Sequence, residues 1–286
     1  MDAAQIRLVV NADDFGMSPS ISRGILKAHT DGIVTSTSLL GNCADLPGAR
    51  AALASAPRLG VGAHLALVEG APVAPAPSVA SLLGPDGNLL PRGQDFVAAW
   101  LRGRILAGDI ERELDAQVAR IRDAGITIDH IDTHLHLGFL PVIGRAVEEV
   151  ARRHGIPGIR SAVERPTLAW VTEPRRGIEA GVLTGLAWLT RRRLGALRHG
   201  PQSWGYVESG RLDEVRILEI IGRLGPGAHE LICHPGEEDD AAGAADLALA
   251  PPRYQRGLEV AALTSPKVRR AVEQRGITLC RWGDLF

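Results

Sequence analysis

The sequence predicts an α/β protein built as a distorted (β/α) TIM-like barrel, with about seven parallel strands in a single domain over residues 1–286. Apolar segments of strand character alternate with amphipathic helical segments about seven times along the chain. Alternating strands and helices form parallel sheets, and so many repeats in one domain are typical of a barrel. No change in composition marks a linker, and no internal repeat or low-complexity tract breaks the alternation.

The first half of the chain contains four predicted strand–helix units. Apolar β-branched runs and helical periodicity place strands at 7–10, 33–40, 59–67 and 126–131, and helices at 19–29, 44–55, 109–124 and 141–154. Ser18 and Pro19 suit the N-cap and the first turn of the first helix. Residues 70–94 are rich in proline and glycine, and we expect an irregular loop that covers the substrate.

The second half continues the alternation with shorter strands. Strands are predicted at 158–161, 229–233 and 277–281, and helices at 213–224, 254–263 and 266–275. The apolar segment 181–189 precedes four arginines, which are Arg191, Arg192, Arg193 and Arg198. Two interpretations stay open: the segment lies at a membrane interface, or it is a buried helix whose basic end complements its dipole.

Composition excludes several classes of protein. The chain has 286 residues, of which 45% are apolar, and its 32 basic and 33 acidic residues give a net charge of -1. This balance does not favour nucleic-acid binding. Cys43, Cys233 and Cys280 are too far apart for a disulfide framework or a cysteine-based zinc site. No signal-like segment precedes the first strand and no apolar run approaches the roughly 20 residues of a membrane span, so we expect a cytoplasmic location.

The first strand ends in two adjacent acids, Asp13 and Asp14. Neighbouring residues of a strand point to opposite faces, so both carboxylates can face one site only if they lie on the loop after the strand. Two adjacent carboxylates repel each other unless a cation or a shared proton lies between them. A solvated polar turn is the alternative interpretation, because aspartate is common in turns.

Polar residues also follow the later strands. They are His64 in the third strand, Asp132, His134 and His136 after the fourth, Arg160 near the end of the fifth and His234 directly after the strand at 229–233. Each has a structural alternative: His64 as a hydrogen-bonded core residue, Arg160 as an ion-pair partner, and only one of His134 and His136 facing the pocket. Together they predict a catalytic site at the carboxyl ends of the strands.

Asp14, His64 and His134 form a set of one carboxylate and two imidazoles, which suits Zn²⁺ or another divalent cation. The spacing of these residues does not choose the metal. No cysteine or serine nucleophile is required for such chemistry, and the sequence contains no G-x-S-x-G segment.

At these residues the sequence resembles the YdjC/ChbG family of carbohydrate deacetylases. The matching segments are NADDFG at 11–16, VGAHL at 61–65 with Glu69-Gly70, DTHLH at 132–136 and ELICHPG at 230–236. The chain departs from many members in having Leu137-Gly138 where they carry a further histidine, and Ala66 where they carry a polar residue. The family fold is a distorted barrel, in agreement with the prediction above.

The resemblance implies a role for each candidate residue. One divalent cation, Zn²⁺ or Mg²⁺, would be held by Asp14, His64 and His134. Asp13 would act as general base and His234 as general acid. The residues expected to contact the substrate or to support the metal ligands are Asn11, Asp132, His136, Arg160 and Glu230.

The form of the 132–138 segment and the arginines after residue 181 are similar to the branch of this family that is associated with hopanoid biosynthesis. That similarity implies removal of the N-acetyl group from an N-acetylglucosaminyl hopanoid lipid, with peripheral contact at the inner face of the membrane. A soluble N-acetylglucosamine oligosaccharide is the alternative substrate. The sequence allows a homodimer and does not determine the oligomeric state.

Two other functions stay open. One is a metal-dependent hydrolase of a different bond, which would be marked by a second set of bridging ligands that we do not find in the sequence. The other is a sugar-binding protein that has lost catalysis, although such a protein would need neither Asp13 nor His234.

Overall fold

The computed structural model describes residues 5–160, 163–193, 198–237 and 254–286, without the side chains of 187, 189–193 and 198–199. The strands are β1 (Ile6–Phe15), β2 (Ser36–Leu40), β3 (Gly60–Leu65), β4 (His130–Thr133), β5 (Gly158–Ile159), β6 (Arg198–His199), β7 (Gln202–Trp204), β8 (Gly227–Cys233) and β9 (Thr278–Leu279). The helices are α1 (Pro19–Thr30), α2 (Leu46–Ala54), α3 (Gly93–Leu101), α4 (Ala107–Asp123), α5 (Pro141–Arg153), α6 (Ala169–Thr172), α7 (Pro174–Arg193), α8 (Glu214–Arg223), α9 (Arg256–Leu263) and α10 (Pro266–Gln274).

The strands form one parallel sheet in the order β6-β5-β4-β3-β2-β1-β8-β7, and β9 pairs with the first half of β1. The sheet is not closed by a ladder between β6 and β7 in the described residues, so the barrel is incomplete. This architecture confirms the predicted α/β fold with a distorted barrel. The two- and three-residue strands β6 and β7 were not predicted, because segments this short carry no periodicity.

Strand β1 lies at the centre of the sheet, between β2 and β8. Leu8, Val9 and Val10 are all fully buried, as expected for a parallel strand that is covered on both faces. The predicted start of α1 is confirmed: the Ser18 hydroxyl accepts a hydrogen bond from the Ile21 N–H at 3.2 Å, and Pro19 is the first helical residue. Helix α1 therefore begins immediately after the predicted catalytic strand.

The stretch predicted as an irregular loop, 70–94, contains two short 3-10 helices, Ala76–Ser78 and Ala80–Leu82. Val79 and Leu82 are fully buried in the main core, and Glu113 of α4 accepts hydrogen bonds from the backbone at residues 73 and 74. Only its end, from Pro91 onwards, lines the cavity described below. Covering of the substrate by this stretch stays a prediction.

Helix α7 contains the apolar segment 181–189 and continues to Arg193. One face of the helix is exposed, since Ile178, Val182 and Trp188 are 69%, 58% and 45% exposed. The other face is packed, with Ala180 buried and Leu183 and Leu186 against Phe139. Residues 194–197 and the side chains of the four arginines lie outside the described residues. Among the helices that the structure describes, none is long and apolar enough to span a membrane.

Candidate active site

A cavity of about 650 Å³ opens at the carboxyl ends of the strands. All the residues predicted as ligands or catalysts line it, and so does His136; the six are Asp13, Asp14, His64, His134, His136 and His234. They come from the ends of β1, β3 and β8 and from the turn after β4. Parallel pairing places these ends at the same edge of the sheet, which is why residues so distant in sequence meet there.

The position of the two acids corrects one expectation. Asp13 and Asp14 lie within β1 and not on the loop after it. The pairing of β1 with β2 shifts register between Ala12 and Phe15, and Asp14 adopts a φ of 71°. This irregularity breaks the alternation of the strand, so both carboxylates reach the same cavity.

One possible ligand atom from each of Asp14, His64 and His134 lies at a common point of the cavity wall, which we call the cation corner. Oδ1 of Asp14 lies 3.5 Å from Nε2 of His64 and 3.3 Å from Nδ1 of His134, and the two nitrogens are 3.1 Å apart. Ligand atoms about 2.1 Å from a tetrahedral zinc ion lie about 3.4 Å from each other. The spacing of the three atoms therefore fits a cation.

The outer nitrogen of each imidazole faces a carboxylate. Nδ1 of His64 lies 2.7 Å from Asp132, and Nε2 of His134 lies 3.3 Å from Glu69. When each imidazole carries its proton on this outer nitrogen, the lone pair of its other nitrogen points towards the corner. The Asp14 carboxylate oxygen lies at the same place. Three acceptors at one point repel each other unless a cation or a proton joins them. The donor set thus fits a divalent cation by its chemistry as well as its spacing.

The electrostatics of the corner favour positive charge. Burial alone would lower the pKa of His64, but the Asp132 and Asp14 carboxylates raise it to about 10. The pKa of Asp14 lies well below its ordinary value, because Arg256 and the two imidazoles outweigh its burial. Cation binding at this corner would therefore displace a proton.

Asp13 is held beside the corner by a buried guanidinium. Arg160 donates to both oxygens of Asp13, at 2.7 and 2.8 Å, and also pairs with Asp132 at 2.6 Å and Glu230 at 2.8 Å. The amide of Asn11 donates to Asp13 at 2.9 Å. Burial would raise the pKa of Asp13, but the charge of Arg160 brings it below its ordinary value. Asp13 is therefore an ionised carboxylate with a fixed orientation.

His234 lies on the other side of Asp13, with its Nε2 4.0 Å from Asp13 Oδ2. Its backbone N–H donates to Glu259, and its Nδ1 is buried with no hydrogen-bond partner among the described residues. Burial lowers the pKa of His234 to about 4, so its imidazole is neutral near pH 7. An unpaired buried nitrogen beside a cavity is typical of a functional site.

The His134–His136 segment corrects a second expectation. It is not a continuation of β4 but a 3-10 turn, in which Leu135 and His136 adopt φ values of 52° and 54°. Strand alternation does not apply there, and both imidazoles line the cavity. His136 lies against Phe139 and Tyr206, with ring centroids 5.7 and 4.9 Å apart.

His136 does not belong to the group of three ligand atoms around Asp14. Burial and the charge of Arg160 lower its pKa to about 3, so it is a neutral ring at the cavity wall. The assignment of ligand and catalytic roles to these residues stays a prediction, now with a geometry that agrees with it.

Sequence reasoning missed several residues of the site. Arg256 of α9 donates to Asp14 at 2.7 Å from 242 positions away, and no local pattern marks it. Glu69 was noticed only as part of a matching segment; its φ of 65° is not visible in the sequence. Tyr206, Tyr254 and other polar residues of the cavity wall were also not singled out. The wall further includes Met17, Arg92, Gln94, Arg176, Glu179 and Ser209.

Comparison with known proteins identifies the family of the chain. The sequence profile of the YdjC-like protein family matches residues 7–274. A carbohydrate deacetylase from Geobacillus stearothermophilus is 32% identical over 283 residues, covering 97% of each chain. A carbohydrate deacetylase from Brevibacillus brevis is 39% identical over 280 residues, covering 98% of this chain and all of the relative.

A solved structure shares the whole fold. It is that of a protein from Enterococcus faecalis V583 whose proposed role is cellobiose-phosphate cleavage, with a TM-score of 0.79 and 26% identity, covering 99% of both chains. The matched profile and the curated relatives extend over nearly all of the sequence, including every residue of the cation corner. The chain therefore belongs to the YdjC-like protein family.

Proposed function

We propose that this protein is a metal-dependent hydrolase that removes the acetyl group from an N-acetylated amino sugar. The observation that carries the proposal is the buried corner of Asp14, His64 and His134, directly beside an ionised Asp13 and a neutral His234. The curated relatives named above are carbohydrate deacetylases, which supports the same reaction for this chain.

Asp14 Oδ1, His64 Nε2 and His134 Nδ1 would hold one divalent cation, Zn²⁺ or Mg²⁺. Such a cation, when bound, lowers the pKa of water and polarises a carbonyl oxygen. Asp13 accepts the proton of the attacking water, for which Arg160 keeps it ionised and oriented. Asp132 and Glu69 keep the two imidazoles in the tautomers that turn their lone pairs inward.

His234 delivers a proton to the nitrogen of the departing amine. Because its pKa is about 4, His234 carries no spare proton at neutral pH and must gain one during the reaction. Asp13 is 4.0 Å away and takes a proton from water, so it can supply the proton that His234 needs. The two residues would therefore pass one proton from the attacking water to the leaving amine.

The cavity suits a sugar ring. Tyr206, Tyr254 and the neutral His136 line it together with polar residues, and aromatic rings of this kind can pack against the apolar face of a sugar. We further propose a lipid-linked substrate, an N-acetylglucosaminyl hopanoid. Helix α7 lines the cavity with Arg176 and Glu179 and exposes Ile178, Val182 and Trp188, which suits contact with a membrane surface.

Acetate release tests the reaction. Metal-stripped protein resupplied with Zn²⁺, Mg²⁺, Mn²⁺ or Co²⁺ should release acetate from N-acetylglucosamine, its β-linked oligomers or an N-acetylglucosaminyl lipid. Asp13→Asn should abolish release, whereas Asp31→Asn, on a surface ion pair with Lys27, should not. If a metal binds and no substrate yields acetate, hydrolysis of another bond or sugar binding without catalysis is the better account.

The proposal of a lipid-linked substrate has its own test. Val182→Ser, and replacement of Arg191, Arg192 and Arg193 by Glu, should reduce acetate release from the lipid-linked sugar in anionic vesicles and leave release from soluble oligomers unchanged. Val215→Ser removes an exposed valine from α8, which does not line the cavity, and serves as control. Equal activity of all variants on vesicles would leave the soluble oligosaccharide as the substrate.

A further inference from the structure

We propose that Arg256 is a positioning residue for the cation ligand Asp14: it occupies one carboxylate oxygen, so that Asp14 offers the cation a single oxygen. The expected consequence is weaker cation binding and faster turnover than an unrestrained carboxylate would give. This inference rests on the proposed metal-dependent function.

The two oxygens of Asp14 have different partners. Oδ2 accepts a hydrogen bond from Nη2 of Arg256 at 2.7 Å. Oδ1 faces the His64 and His134 nitrogens at 3.5 and 3.3 Å. A carboxylate that coordinates a cation through both oxygens must turn both towards it, and Arg256 prevents that rotation.

Arg256 is itself fixed. Its side chain is 4% exposed, its Nη1 donates to the His234 backbone oxygen at 3.3 Å, and its guanidinium carbon lies 5.2 Å from the centre of the Tyr254 ring. The Arg256 backbone oxygen accepts from the Gly236 N–H, which connects the start of α9 to the segment after β8. The guanidinium therefore cannot follow Asp14 if the carboxylate turns.

The charge of Arg256 matters as much as its position. A buried positive charge in contact with a ligand carboxylate repels a cation on the other side of that carboxylate. It also draws electron density from the oxygen that faces the cation. The cation would then be less neutralised by its ligands, and would polarise water and a carbonyl more strongly.

A purely structural role predicts the opposite change in affinity. If Arg256 only held the site together, its loss would disorder Asp14 and weaken cation binding. If Arg256 restrains Asp14 as proposed, its loss frees a second oxygen, removes a repelling charge and tightens binding. The sign of the affinity change separates the two roles without reference to catalysis.

The test uses the full chain with Arg256→Met, which keeps an unbranched apolar stem in the buried position and removes the guanidinium and its charge. Zn²⁺ affinity of the stripped protein is measured by competition with a chelator, and kcat and KM by acetate release. Arg256→Lys retains the positive charge but replaces the planar guanidinium by an ammonium group. Arg281→Met is the matched control, because Arg281 pairs with Asp284 at the surface and does not line the cavity.

We expect Arg256→Met to lower the dissociation constant for Zn²⁺ by about tenfold or more, on the scale of one partly buried charge. The rise in melting temperature on adding Zn²⁺ should be larger than in wild type, and kcat should fall with little change in KM. Arg256→Lys should retain an affinity close to that of wild type, and Arg281→Met should change neither affinity nor kcat.

Unchanged or weaker Zn²⁺ binding in a folded Arg256→Met variant would overturn the inference. So would a variant with tighter binding and undiminished kcat. If wild type binds Zn²⁺ but releases no acetate, the proposed function fails, while the affinity of Arg256→Met still decides whether Arg256 restrains Asp14.

Discussion

Asp13 and Glu164 are both buried carboxyl groups near the same cavity, yet they differ in charge. Both terminal nitrogens of Arg160 donate hydrogen bonds to Asp13, and the charge of Arg160 holds the pKa of Asp13 below its ordinary value. Glu164 accepts only backbone hydrogen bonds such as that from Tyr206, and its Oε2 has no partner in the described part of the chain. Burial, and then the neighbouring Glu208, raise the pKa of Glu164 to about 8.

The comparison shows that burial alone does not set the charge of an acid. Both groups are almost fully removed from water, and the guanidinium decides between them. Asp13 is thereby prepared to accept a proton, whereas Glu164 already holds one at neutral pH. Of the two, only Asp13 is suited to act as a base.

The largest expected effect comes from removing the guanidinium. Arg160→Met would leave Asp13, Asp132 and Glu230 buried without their shared partner. We expect a loss of about 3–5 kcal/mol in the free energy of unfolding, measured by urea denaturation at pH 7. Arg153→Met removes an arginine that also pairs with several acids, but at the surface, and should leave stability close to that of wild type. Equal stability of the two variants would contradict the comparison.

The second effect concerns the acid that has no guanidinium. Because the folded pKa of Glu164 is about 8 and its ordinary value is 4.5, the folded state holds a proton that the unfolded state has lost between these values. Stability from this group is therefore full below pH 4.5 and falls as the pH rises towards 8, by up to about 1.4 kcal/mol per pH unit. Glu164→Gln should flatten this decline in urea denaturation from pH 6 to 8. A slope identical to that of wild type would show that Glu164 is ionised in the folded protein.

The smallest expected effect is a loss of Zn²⁺ affinity, and it compares two variants in which a carboxylate hydrogen-bonded to an imidazole is removed. Asp132 lies 2.7 Å from His64, whereas Glu69 lies 3.3 Å from His134. We expect Asp132→Asn to weaken Zn²⁺ binding by about 10–100-fold, measured by chelator competition. Glu69→Gln should weaken it less, because its hydrogen bond is longer. A larger effect at Glu69 would reverse the ranking that these distances predict.

The sequence predicted what depends on local pattern. Alternating apolar segments gave the barrel, and Ser18 with Pro19 gave the start of α1. Asp13 and Asp14 were recognised because two adjacent acids after a buried strand are chemically unusual. Each of these signals lies within a few residues of the feature that it predicts.

The rest depends on backbone geometry or on distant contacts. The register shift in β1 turns both acids into the cavity, and the positive φ of His136 turns its imidazole into the cavity after β4. Neither conformation is marked by a glycine in the sequence. Arg256 meets Asp14 across 242 positions. The raised pKa of Glu164 requires knowing its neighbours in the fold, which are Glu208 and backbone N–H groups.

The pairing of β1 with β8 has a consequence for biosynthesis. The three residues proposed as cation ligands are all present once residue 134 has been translated. Strand β1, however, pairs along Ile6–Ala12 with Gly227–Cys233, and Asp13 needs Arg160 and Glu230 for its ion pairs. A nascent chain therefore carries the ligands for some 100 residues before the strand that fixes them has emerged. The arrangement of the site is therefore complete only after β8 has been translated.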